Sequence, residues 1–318
     1  MIRKRKVKII SIITLLFVIV SLISLKSLNA KANNIASKPS FTITDLKATP
    51  NPVKVGEDIL VSGKLVPEDF ETIAQAKEIV LVLDTSGSMS GNKIKNLKEA
   101  AKSFVEKMKD VPNLKIGIIK YASDATIVSN LIAANDSSLI TTINKLSANG
   151  GTNTREGLRK AAYLLNNDSE SVNKTIVLMT DGNPTYYSKY DKLDDSTPTR
   201  YGSGSSTNST TMNYTKNFAK DHIAAKQYNA YSIGYGLDNN GTKYLKQIHQ
   251  SMRNISENTD INEKNGFFSK SDGSITEIFN EIADDIKNSY ELKEVSLNID
   301  LNQSFNLNIG EMKLKLEI

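Results

Sequence analysis

Two short apolar runs constrain this chain more than any other feature. Ile79, Val80, Leu81, Val82 and Leu83 form one, and Thr175, Ile176, Val177, Leu178 and Met179 form the other. Neither alternates with polar residues, so each predicts a strand buried on both faces, the kind found in parallel sheets. Between and after them the pattern turns helical: Ile94, Leu97, Ala101, Phe104 and Met108 share one face. Residues 114–121 and 125–128 read as strands, 139–146 as a helix, and Leu158, Ala162 and Leu165 line a further helix. A helix near 218–227, a strand at 230–233 and a helix around Leu245 follow, and Ile275, Ile278, Ile282 and Ile286 mark the last helix. Strand–helix alternation of this kind predicts an α/β fold: a doubly wound, mainly parallel sheet with helices on both faces.

The ends of the chain follow a different pattern. Phe41 and Ile43, Val53 and Val55, and Ile59 and Val61 alternate within residues 38–71, which predicts about three short strands. The tail alternates as well, through Val295, Leu297, Ile299 and Leu301, then Phe305, Leu307 and Ile309, then Met312, Leu314, Leu316 and Ile318. Three strands are too few to bury a core alone, so the two flanks are expected to pair as one small β domain split by the α/β unit. The rival reading is two unrelated linkers. The tail breaks off within an alternating run, which reads as a truncated product.

Residues 1–32 hold seven Lys or Arg and no acid. Taking those seven from 40 basic residues leaves 33 against 35 acidic ones, so the remainder is close to neutral and gives no nucleic-acid footprint. A basic stub, an apolar run over residues 9–25 and Ala30-Lys31-Ala32 together read as a signal peptide, with an uncleaved membrane anchor as the alternative. Either way the rest is expected outside the cell, secreted or at the surface. The chain has no cysteine, so no disulfide and no thiol nucleophile enter the argument. The resulting division is a signal at 1–32, a β segment at 33–74, the α/β domain at 75–290 with an insertion at 184–213, and a second β segment at 291–318.

The first buried run leads directly into Asp84-Thr85-Ser86-Gly87-Ser88. Ligands of open α/β sheets bind beyond the carboxyl ends of the strands. A carboxylate and two hydroxyls there suit a hard cation such as Mg²⁺, Mn²⁺ or Ca²⁺, although helix capping by Asp84 and Ser86 explains the pentapeptide equally well. Gly150-Gly151-Thr152-Asn153-Thr154 adds a third hydroxyl at the start of a helix, and the second buried run ends in Thr180-Asp181-Gly182.

Taken in order, these three segments resemble the metal-ion-dependent adhesion site of von Willebrand factor A (vWA) domains. Its signature is Asp-x-Ser-x-Ser with a downstream Thr and Asp, and the match covers about residues 78–290. The resemblance implies a Rossmann-like sheet and one divalent cation, Mg²⁺ first, at Asp84, Ser86, Ser88, Thr152 and Asp181. Ser86, Ser88 and Thr152 would contact the ion directly, Asp84 and Asp181 largely through waters. One open position would take an acidic group of a protein ligand. Asn153 and Thr154 are neighbours, not ligands.

The stretch Thr180 to Tyr186 and the polar insertion after it are similar to Gram-positive pilus-tip and surface adhesins, where the insertion forms an arm beside the metal. That likeness also implies the split, Ig-like flanking domain. Tyr186, Tyr187 and Tyr190 are the candidate ligand contacts, since Tyr with Ser, Gly and Asn suits adaptable binding loops. The alternative for the insertion is a disordered segment without a role.

Enzyme chemistry finds little support. Only His222 and His249 exist, neither in a His-Glu-x-x-His helix, and no Walker loop is present. His222 reads as a surface residue. The expected function is a cation-dependent adhesin binding a host matrix protein or another surface subunit. A structural module of a pilus or surface complex is the second reading, and a secreted metalloenzyme the third.

Overall fold

A computed structural model describes residues 41–51, 60–67, 76–166, 172–270 and 275–288. Residues 1–40, with the expected signal, residues 52–59 and the alternating tail lie outside the described residues.

The first buried run becomes β3 (Lys77–Asp84), after two earlier strands, β1 (Phe41–Thr49) and β2 (Leu60–Pro67). A 3-10 turn at Gly87–Met89 leads into α1 (Asn92–Met108), β4 (Leu114–Tyr121), β5 (Ala125–Ala133), α2 (Ser138–Asn144) and α3 (Thr154–Leu165). The second run is β6 (Asn173–Thr180), followed by the short strands β7 (Tyr186–Ser188) and β8 (Arg200–Gly202). Then come α4 (Ser209–His222), β9 (Asn229–Tyr235), α5 (Asn239–Met252), β10 (Phe267–Lys270) and α6 (Ile275–Asn288).

Six strands make one sheet in the order β10-β9-β6-β3-β4-β5, parallel except for β5, which runs antiparallel at one edge. From β3 the chain winds first to β4 and β5, then crosses back to β6 on the other side. Strand order therefore reverses between β3 and β6, where such sheets open a crevice at their carboxyl ends.

The continuous apolar runs are explained by burial on both faces. Ile79, Leu81 and Leu83 join one core with Phe104, Leu139 and Phe279, under α1, α2 and α6. Val80 and Val82 join the other with Leu158, Phe218 and Leu245, under α3, α4 and α5. All five are 0% exposed, each worth about 1.5–3 kcal/mol of burial. Phe104 meets Phe279 edge to face at 6.0 Å, fastening α1 to α6.

Among the described residues, 38–71 show the antiparallel strands Phe41–Thr49 and Leu60–Pro67, and the expected strand at Val53 and Val55 lies outside them. Two expectations need correction. The edge strand β5 extends to Ala133 rather than stopping at residue 128, and β10 joins the sheet where no strand was expected. The insertion ends earlier than residue 213, because residues 209–213 are the first turns of α4, capped by Asn208 Oδ1 accepting from Thr211 N at 2.9 Å.

The β1–β2 hairpin, taken by itself, is two-faced. Phe41 pairs with Pro67, Ile43 with Leu65 and Ala48 with Val61, whereas Thr44 pairs with Lys64 and Lys47 with Ser62. Cross-strand partners share a face, so one face carries apolar positions and the other mostly polar ones. A bulge between Thr44 and Lys47 brings Leu46 beside Ile43 over Gly63, and these two side chains are 68% and 44% exposed.

Candidate metal centre

The reversal between β3 and β6 places Asp84 at the end of one strand and Asp181 just past the end of its neighbour. Asp84 is fully buried and cannot turn freely. Its Oδ1 accepts from Ser86 N at 2.8 Å and its Oδ2 from Thr180 Oγ1 at 2.6 Å. The first bond closes a tight turn after the strand, which is the helix-capping habit of Asp turned to holding Ser86 in place. Met89, 0% exposed, anchors the next turn in the core and so fixes Ser88, which is itself exposed.

The donors converge. Ser86 Oγ lies 3.0 Å from Ser88 Oγ, and Ser88 Oγ donates to Asp181 Oδ1 at 2.7 Å. Thr152 enters from the loop between α2 and α3. The Ser88 and Thr152 hydroxyls lie 3.6 and 3.9 Å from where a Gly182 Cβ would sit, so both reach the same small volume above Gly182. All five residues marked by the sequence motif are thus gathered at one point of the crevice. Asn153 instead caps α3, accepting from Glu156 N at 3.2 Å.

The loop that delivers Thr152 is held on both sides. Gly87 N donates to Gly150 O at 2.8 Å, tying it to the Ser86–Ser88 turn. Gly150 has φ +81°, and a Cβ there would lie 2.6 Å from Ser123 Oγ, so only glycine fits. On the far side Thr152 N donates to Thr185 Oγ1 at 2.8 Å, and Thr185 N donates back to Thr152 O at 2.7 Å.

Electrostatically the pocket floor asks for a cation. Burial pushes the Asp84 carboxyl up to about 6, and the nearby Asp181 carboxylate adds to the rise, against hydrogen bonds from Thr180 and Ser86 that lower it. Burial, with Asp84 alongside, also pushes the Tyr121 phenol up; its hydroxyl donates to Met179 O at 3.1 Å beneath the site. The donor set is all oxygen, mostly neutral hydroxyl, and among the described residues no cluster of three His, Cys, Asp or Glu offers a rival centre. Such a set fits a hard divalent ion and does not fit a thiophilic one.

Two residues at the site escaped the sequence reading. Thr180 is the hydroxyl that holds Asp84, and its signal was a polar residue at the carboxyl end of an otherwise apolar strand. Lys93, in the first turn of α1, donates to Asp181 Oδ2 at 2.6 Å.

The insertion is ordered and lies over α3. Arg155 donates to Ser188 Oγ, Asp191 and Tyr190 O. Arg159 reaches Lys192 O, Asp194 and Ser196 O, and Lys160 reaches Asp195 at 2.6 Å. The three candidate tyrosines are engaged internally. Tyr187 stacks between Tyr201 and Tyr214, with centroids at 5.7 and 4.7 Å. Tyr186 lies under Arg200 at 5.2 Å, and Tyr190 donates to Asp194 Oδ2 at 2.6 Å. Tyr201, 40% exposed, presents more surface than any of them. His222 is half-buried, stacked on Phe218 at 4.4 Å, and His249 is buried between Ser232 Oγ and Asn265 O.

Residues 78–281 match the model of the von Willebrand factor type A domain. In sequence the chain is 30% identical over 186 residues to mouse inter alpha-trypsin inhibitor, heavy chain 4, covering 55% of this chain and 17% of that protein. It thus spans about a sixth of that relative's length. In structure it is similar to the vWF domain of the type V pili tip protein Mfa5 of Porphyromonas gingivalis, with TM-score 0.54, 18% identity, and coverage of 71% of this chain and 99% of that one. It is also similar to the pilus adhesin SpaC of Lactobacillus rhamnosus GG, with TM-score 0.52, 24% identity, and coverage of 68% and 30%. With the doubly wound sheet and the match over residues 78–281, the chain belongs to the von Willebrand factor type A domain family.

Proposed function

We propose that this protein is an exported adhesion or surface-assembly module that binds partners through one divalent cation held by Asp84, Ser86, Ser88, Thr152 and Asp181. The observation that carries the reading is the convergence of oxygens: Ser86 Oγ lies 3.0 Å from Ser88 Oγ, Ser88 Oγ donates to Asp181 Oδ1 at 2.7 Å, and Thr152 Oγ1 reaches the same volume above Gly182. An all-oxygen set of this kind suits a hard divalent ion. Mg²⁺ is the ion we propose first, with Mn²⁺ or Ca²⁺ as alternatives.

When bound, the ion supplies a Lewis-acidic position for an acidic side chain of the partner. The chain's residues do the rest. The hydroxyls of Ser86, Ser88 and Thr152 are neutral, so the ion's charge is offset only by the carboxylates of Asp84 and Asp181, and Thr180 holds Asp84 in place. The arm over α3 borders the same crevice through Thr185 and Tyr186, whose backbone N–H groups both donate to Thr152 O. We assign it the selection of partners. The structural likeness to a pili tip protein and a pilus adhesin favours a protein partner at the cell surface, either a host matrix protein or another pilus subunit. Binding is favoured over catalysis because the crevice offers hydroxyls and carboxylates without a histidine base. Among the described residues no helix is long and apolar enough to cross a membrane. We read residues 1–32 as a signal peptide, with an uncleaved membrane anchor as the alternative.

The test is calorimetric titration of MgCl₂ into wild type, Asp84→Ala and Ser88→Ala. Wild type is expected to bind one Mg²⁺, and both variants are expected to lose at least tenfold in affinity. Undiminished Mg²⁺ binding by both variants refutes the site.

A further inference from the structure

Lys93 is a cation built into the rim of this site. It stands in the first turn of α1, two residues after Gly91, whose φ of +73° turns the chain from the Ser88 loop into the helix. From there its ammonium reaches back across the crevice to Asp181 Oδ2 at 2.6 Å, while Asp181 Oδ1 accepts from Ser88 Oγ at 2.7 Å. One carboxylate thus faces the hydroxyl cluster with one oxygen and the ammonium with the other. The Asp181 side chain is 0% exposed and that of Lys93 35% exposed, so the lysine closes the solvent side of a buried acid. Its position is set by packing. Nζ lies 5.8 Å from the centroid of the Tyr235 ring, and the Tyr235 hydroxyl is itself held by Asn96 Nδ2 at 2.8 Å. The ammonium also rests against Gly236, 3.7 Å from where a Cβ would be.

We propose that Lys93 sets the strength and charge of the site: it shares Asp181 with the divalent ion, weakens the ion's hold, and leaves the loaded site net positive toward an anionic partner group. The inference rests on the reading of this cluster as a cation site. Charge counting supports it. Asp84 and Asp181 together carry two negative charges, which a divalent ion alone would cancel. Lys93 adds one positive charge, and that excess is what a partner's carboxylate meets. The same charge repels the ion across a single carboxylate. In a solvent-like dielectric such a pairing shifts a binding constant by on the order of tenfold.

Titration of MgCl₂ into the full chain at one fixed pH tests this with Lys93→Met and Lys93→Arg. Lys93→Met is expected to bind Mg²⁺ about tenfold more tightly than wild type, while Lys93→Arg, which keeps the charge, stays within about threefold. Saturating Mg²⁺ should also raise the melting temperature of Lys93→Met by more than that of wild type. A lysine with only a structural role predicts the reverse, since damage to the crevice weakens binding. Lys93→Gln repeats the measurement should the Met variant fold poorly. Unchanged or weaker Mg²⁺ affinity in the neutral variants, beside normal binding by wild type, overturns the role of Lys93 alone. Absence of Mg²⁺ binding by wild type overturns the cation site and this inference with it.

Discussion

Arg159→Met is the most demanding test of how the arm is held. Arg159 is fully buried and makes six hydrogen-bond contacts through its five N–H groups, one of the Nη1 bonds being shared: two to Glu156 Oε1 at 2.8 and 2.6 Å, and four to Lys192 O, Asp194 O, Asp194 Oδ1 and Ser196 O. Glu156 is 1% exposed, so removing the guanidinium leaves a buried carboxylate with the Ser188 hydroxyl at 3.2 Å and without its own ion pair. Breaking a buried pair from one side costs about 3–5 kcal/mol. Three arm carbonyls also lose their donor, and methionine fills the volume without replacing any of these bonds. For a domain of this size that loss lowers the melting temperature by roughly 6–20 °C. Chemical denaturation of Arg159→Met, Glu156→Gln and the double variant should show the double losing clearly less than the sum of the singles. A loss below about 1 kcal/mol for Arg159→Met, or strict additivity, would refute the buried-clamp account.

Two further outcomes follow. Burial pushes His249 from 6.5 down to about 4, so it is neutral in the fold and charged in the unfolded chain between those values. The unfolded state then binds more protons, and stability falls as pH drops from about 6.5 to about 4, by on the order of 3 kcal/mol for this group. Denaturation of wild type and His249→Gln across that window should show a shallower slope in the variant, and parallel slopes would exclude His249 as the cause. The apolar face of the β1–β2 hairpin, with Leu46 68% exposed, calls for a cover, and the alternating residues 295–318 are our proposed one. Deleting residues 33–71 should then speed proteolysis of that tail; equal digestion with and without the deletion counts against the pairing.

The sheet centre was legible because burial on two faces leaves an unbroken apolar run, as in β3 and β6. The edges were not. β5 lies at the sheet margin, half-exposed and bulged against β4, so Ser129 and Asn130 interrupt its pattern without ending the strand. β10 offers only Phe267 and Phe268 as apolar residues, one to each core. The five residues proposed to hold the ion stood out in the sequence because four of them directly follow or end a buried strand, and Thr152 opens a helix after two glycines. Thr180 and Lys93 act through other side chains, and a threonine or a first-turn lysine carries no spacing of its own. The arm's order was hidden for a different reason. Arg155, Arg159 and Lys160 are of types seldom buried, and nothing in their spacing marks them, yet all three are 1% exposed or less. The arm itself supplies their cover.

That reversal changes what the arm is. Excising residues 184–213 and inserting a flexible linker would strand two buried guanidiniums and remove the first turns of α4. Loss of adhesion in such a variant would then report a damaged domain as readily as a lost contact. The arm is also tied to the ion site, because Thr185 exchanges hydrogen bonds with the backbone of Thr152 on either side of a proposed ligand hydroxyl. A shift of the arm at Thr185 moves the Thr152 loop with it, and the Gly87–Gly150 bond passes the shift to the Ser86–Ser88 turn. Substitutions that separate selectivity from ion binding therefore belong at the exposed outer end, at Tyr201 and Lys189, where Lys189 lies 4.7 Å over the Tyr201 ring. Changes there alter the surface a partner meets while leaving the clamp and the ion donors in place.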